Sequence, residues 1–122
     1  MAVSTHAGLP WVRELRAGLG ERLHCWPFDG WEPAGRGSVL VEAYPALCSG
    51  RYPRAGRTGD QHDAYSLARW FAELDHEGIL PALFHPALCA EDLRLGSIEG
   101  WIFGLLNEAR PRPRPRPRGK HP

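Results

Sequence analysis

Trp11, Val12, Leu15 and Leu19 fall three or four residues apart with Arg13, Glu14 and Arg16 between them, which predicts an amphipathic helix. Pro10 suits the first position of that helix, where its missing N–H costs nothing, and Gly18 and Gly20 suit its end. Residues 1–9 show no periodicity and are expected to be unstructured. Arg22–Phe28 reads as a short strand, which Pro27 places at an edge or ends. Asp29–Ser38 is turn chemistry throughout. Val39–Tyr44 is a second strand, ended by Pro45, and its near-continuous apolar character predicts burial on both faces. The short link between the two strands leaves their relative direction open.

Ala46–Gly59 reads as an exposed loop with one helical turn near Pro45–Ser49. The main helix is expected over Asp60–Glu77, with Gly78 as its stop and Ala64, Leu67, Ala68, Phe71 and Leu74 as its buried stripe. At about 100° per residue, Asp60 projects onto that stripe and Asp63 onto its flank, whereas His62 projects outward with Arg69 and Glu73. Ile79–Leu88 is an apolar connector broken by Pro81 and Pro86. A last helix is expected over Ala90–Asn107, with a smooth face made by Gly96, Gly100 and Gly104. Trp11, Trp70 and Trp101 fall on apolar stripes and are expected in the core.

Strands alternating with helices predict an α/β fold, a short mixed sheet packed by helices. Its 122 residues suffice for one modest core, expected over residues 10–107. The net charge of +1 hides a split. Arg110, Arg112, Arg114, Arg116, Arg118 and Lys120 lie in an alternating Arg-Pro tail, leaving nine basic residues against 14 acidic ones in the rest of the chain. A basic body for gripping nucleic acid is thereby excluded; the cations sit in the tail. Residues 108–122 are expected to be extended and disordered, since alternating proline forbids helix and nothing there is apolar. Three widely spaced cysteines form no disulfide framework, which points to a reducing, cytoplasmic setting. No apolar run approaches the roughly 18 residues of a membrane span, so no membrane partner is expected.

Candidate chemistry rests on carboxylates. Glu42 near a strand end, with Asp60 and Asp63 at a helix start, is the type of oxygen-donor set that divalent cations require. The same aspartates equally suit helix capping and the helix dipole, with Asp60 as N-cap. The remaining motifs are weaker. Pro86 separates His85 from Cys89, and the adjacent His24 and Cys25 point apart on a strand, so neither pair makes a zinc site. Cys48 and Ser66 lack a base at recognisable spacing, and Gly56-x-x-Gly59 lacks the lysine of a phosphate loop.

Trp26–Gly30 (W-P-F-D-G), Val39–Pro45 (V-L-V-E-A-Y-P), Asp60–Tyr65 (D-Q-H-D-A-Y) and Ile98–Gly104 (I-E-G-W-I-F-G) carry a resemblance to a known family. Over roughly residues 11–105 the chain resembles the uncharacterised bacterial "domain of unknown function" family numbered four-two-nine, regarded as predicted nucleases with a ribonuclease H-like fold. The resemblance implies a partial ribonuclease H-like domain with Glu42, Asp60 and Asp63 as catalytic metal ligands for Mg²⁺ or Mn²⁺, acting on nucleic acid. His62 is a distant candidate for proton transfer. The family's leading aspartate lies on an earlier strand, and here the first Asp is Asp29, in a turn. The expectation is therefore a truncated form that would pair with a missing N-terminal half or form a homodimer. The alternative is a non-catalytic interaction module, docking through an exposed sheet edge, whose acids only cap helices.

Overall fold

The computed structural model describes residues 2–33, 35 and 37–106, of which residues 2–7 are described by their backbone alone. The Arg-Pro tail lies outside the described residues. The first helix, α1 (Ala2–Leu19), starts well before the expected position and carries Pro10 in its interior. It accepts the loss of one backbone hydrogen bond there rather than beginning at the proline. Gly20, at φ +53°, opens the single 3₁₀ turn Gly20–Arg22 that leads into β1 (Leu23–Cys25).

β1 pairs in parallel with β2 (Ser38–Leu40), Leu23 opposite Ser38 and Cys25 opposite Leu40. The direction left open by the sequence is thus parallel, and the intervening turns make the crossover. The expected second strand is interrupted at Val41. Its remainder, β3 (Glu42–Ala43), pairs in parallel with β4 (Ile102–Phe103). The structure is mixed α/β, with two small two-stranded sheets among helices. Burial of the second strand on both faces is corrected: Val39, Glu42 and Tyr44 are exposed. Sheets of two strands leave backbone and side chains open that a wider, helix-covered sheet would enclose.

Two 3₁₀ turns, Pro45–Leu47 and Ser49–Arg51, lead to α2 (Gly59–His76). The cap of α2 is Thr58, not Asp60. Its hydroxyl accepts from the Gln61 N–H at 3.3 Å, and the Gln61 side chain accepts from the Thr58 N–H at 3.0 Å, a reciprocal capping box. At the other end Gly78 takes φ +74°, as its place after a helix predicts. A 3₁₀ turn, Leu80–Phe84, places Leu83 in the core.

The last helix, α3 (Ala90–Glu99), stops eight residues earlier than expected. Gly100, at φ +93°, ends it and turns the chain into β4. Gly96, Gly100 and Gly104 therefore do not share one helical face, yet each lies against an aromatic ring. A Cβ built at Gly96 would meet Trp31, at Gly100 Phe28, and at Gly104 Trp70.

The core is aromatic. Trp26, Leu83, Trp101 and Phe103 are buried together, with Trp31, Phe71 and Phe84 packed against them. Trp26 meets Trp31, Phe84 and Phe103 edge to face at centroid distances of 5.3, 5.9 and 5.5 Å. Its indole N–H donates to Trp31 O, that of Trp31 to Leu93 O, and that of Trp101 to Leu105 O. These bonds let large rings be buried without stranding their donors. A second cluster joins Cys48, Tyr52 and Trp70 beneath α2. Trp70 and Trp101 are core as expected; Trp11 is not, at 69% exposed.

Candidate functional site

α2 turns most of the expected stripe to the core, with Leu67, Phe71 and Leu74 packed against the buried clusters, but not all of it. Ser66 and Trp70 are buried, while Ala64 and Ala68 are exposed. The helix is held by the segment before it, so its inner face is set by what touches that loop. His62 is half-buried and turned inward, its Nε2 2.9 Å from Ser49 O. The Arg57 guanidinium donates to its Nδ1 at 3.3 Å, which leaves Nε2–H to donate to the carbonyl. The outward projection of His62 is corrected: a hydrogen-bonding ring outcompetes alanine for a polar loop.

Asp60, expected on the buried stripe, is exposed in the first turn, and Asp63 is half-buried near Cys48. Burial pushes the Cys48 thiol up; Arg51 opposes this and Asp63 adds to it. A raised thiol is a poor nucleophile, so Cys48 is a core residue. Glu42 stands at the start of β3, beside Gly100. Among the described residues no group of three or more His, Cys, Asp or Glu side chains is gathered as a metal site would require, so Glu42, Asp60 and Asp63 do not come together as one. Such cations need several converging oxygens. The donors present do not fit Mg²⁺ or Mn²⁺, and no catalytic step is drawn through either.

What the fold gathers instead lies around α1. Leu9, Val12 and Arg16 face the strands and, with Trp26, Phe28 and Val41, line a cleft of about 310 Å³. Cys25, Leu40 and Glu42 complete it. Arg16 is anchored there, 2.6 Å from Asp29, whose other oxygen accepts from the Cys25 N–H at 2.8 Å. The backbone N–H of Cys25 and the Arg16 guanidinium hold the Asp29 carboxyl below its ordinary value, against the opposing effect of burial.

The other side of α1 carries Gly8, Trp11, Leu15 and Gly18, at spacings of three, four and three. Leu15 is 45% exposed, and a Cβ at Gly8 or Gly18 would meet nothing within 4 Å among the described residues. These residues centre roughly 110° around the helix from those facing the cleft. Sequence reasoning found the apolar spacing but assigned it wholly to the core; the small-large-large-small order was the available signal that it was not.

No protein-family model matches the chain, and neither the curated proteins nor the solved structures contain a match. Among the described residues no helix is long and apolar enough to cross a membrane.

Proposed function

We propose that the chain is a non-catalytic interaction module that self-associates through α1. The observation that carries this reading is Trp11, a large apolar ring left 69% exposed on a stripe with Leu15 between two open glycines. The stripe follows a heptad, the spacing that keeps an apolar seam facing a second helix. It is also self-complementary. In an antiparallel pair, Trp11 of one copy lies over the Leu15–Gly18 step of the other, and two-fold symmetry repeats the contact. From Gly8 to Gly18 the seam is about 15 Å long.

Cysteine cross-linking tests the arrangement. In a Cys89→Ser background, which removes the exposed native thiol, Glu14→Cys lies beside the two-fold axis and Arg13→Cys on the far side of the helix. The expected result is a covalent dimer formed faster by Glu14→Cys. Equal rates for the two positions contradict the α1 seam.

A nuclease related to the ribonuclease H-like fold is the second reading, supported by the parallel pairing of both strand pairs. Nucleic acid would be its substrate, and Glu42, Asp60 and Asp63 its acids only if they were brought together from the separate places they hold in this fold. Titration calorimetry with Mn²⁺ decides it: saturable binding lost in Asp60→Asn/Asp63→Asn supports it, and absent or equal binding removes it.

A further inference from the structure

We infer that the cleft between α1 and the strands binds an organic cation, an alkylated ammonium group carrying an apolar substituent. Its volume of about 310 Å³ matches small ligands, whose sites are commonly a few hundred Å³, mostly apolar, with few polar groups. Here the walls are apolar and aromatic, from Leu9, Val12, Trp26, Phe28 and Val41, and the charged groups decide the ligand.

Arg16 does not supply a free positive charge. Its guanidinium is 2.6 Å from Asp29, and that pair is locked by the Cys25 N–H. Glu42 is different. Among the described residues its carboxylate has no ion-pair or hydrogen-bond partner. Its carboxylate and the Phe28 ring meet at Gly100: a Cβ there would stand 3.0 Å from Phe28 Cζ and 3.6 Å from Glu42 Oε2. Glycine at this position leaves room for both groups at the end of the cleft. With Arg16 paired to Asp29, which lies outside the lining, Glu42 is the lining charge left without a partner among the described residues, and it stands beside the Phe28 ring.

That combination selects a cation rather than an anion or a neutral molecule. A carboxylate provides the charge and aromatic faces attract an ammonium, an interaction strengthened where water is excluded. A metal ion is a poor candidate, since one carboxylate among hydrocarbon offers too few oxygens. The apolar substituent would lie along Leu9, Val12 and Val41. This site uses other residues of α1 than the proposed seam, centred roughly 110° around the helix from it, so the two inferences fail independently.

Benzyltrimethylammonium chloride is the probe, titrated into the full chain and followed by the indole N–H signal of Trp26 in two-dimensional NMR. Saturable shifts centred on Trp26 and Val41 are expected, with benzoate causing none over the same concentrations. Glu42→Gln and Phe28→Ala should each weaken binding roughly fivefold or more, in keeping with a partly desolvated cation–aromatic contact. Both side chains are exposed enough for the variants to fold, and unchanged melting temperatures establish that they do. The inference is overturned by absence of saturable shifts, by equal affinity in Glu42→Gln, by benzoate binding as well, or by shifts confined to Trp11 and Leu15.

Discussion

Gly96 is buried, and a Cβ there would lie 2.8 Å from Cζ2 and 2.9 Å from Cη2 of Trp31, whose indole N–H is committed to Leu93 O. The ring cannot withdraw without losing that bond. Gly96→Ala is therefore expected to destabilise the fold by about 1–3 kcal/mol, the usual cost of overpacking, as read from urea unfolding. Asp29 makes a pH prediction. Its carboxyl is held below the ordinary value of 3.8, so it binds protons less readily when folded. Its contribution is present in full above the unfolded value and is lost as pH falls through the lower, folded one. Asp29→Asn should lower the melting temperature at pH 7 and narrow its difference from wild type progressively below about pH 4. A difference that persists unchanged in acid would show that packing, not charge, holds this corner.

At the scale of elements, α2 rests on its cap. Thr58→Ala removes the acceptor for the Gln61 N–H and half of the capping box, an expected loss of about 1 kcal/mol. Asp60→Asn should change stability much less, and thermal melts of the two variants distinguish Thr58 from Asp60 as the cap. The sequence spells this cap as T-x-x-Q, Thr58 to Gln61, a signal that the choice of Asp60 as cap passes over. Of the inner face of α2, Leu67, Phe71 and Leu74 were legible, whereas the burial of Ser66 and the inward turn of His62 were not. Helical spacing orders residues around an axis, but Ala64 and Ala68 carry too little apolar surface to fix which side is inside. The decision came from Ser49, Cys48 and Tyr52, a loop packed from outside the helix, whose contacts no local pattern announces. Tyr52 illustrates the point: its hydroxyl donates to Glu73 at 2.8 Å, drawing the supposedly outer Glu73 toward the loop. The end of α3 was missed for a related reason. Ile98 and Trp101 continue the helical spacing, but Gly100 at positive φ diverts the backbone, leaving Ile98 exposed and Trp101 buried. Gly78 was read correctly because the apolar pattern and the glycine agreed there.

For the whole molecule, the α/β character was readable from alternating strand and helix signals, whereas the distribution of carboxylates in space was not. Glu42, Asp60 and Asp63 form a persuasive set in one dimension, but bringing them together needs a strand end and a helix mouth to meet, and that is a tertiary fact. Trp11 shows the converse error: its spacing is that of a core residue, and only the fold shows that the face it occupies is left open. An exposed tryptophan on a heptad is costly to solvate and informative for that reason. Self-association through that face is read out by sedimentation equilibrium over a range of concentrations. The prediction is a mass approaching twice the 13.6 kDa chain for wild type, and dimerisation at least roughly tenfold weaker for Trp11→Ala, as removal of a buried aromatic anchor implies. A wild-type chain that stays at its single-chain mass throughout, or a Trp11→Ala variant that associates as tightly as wild type, would contradict it.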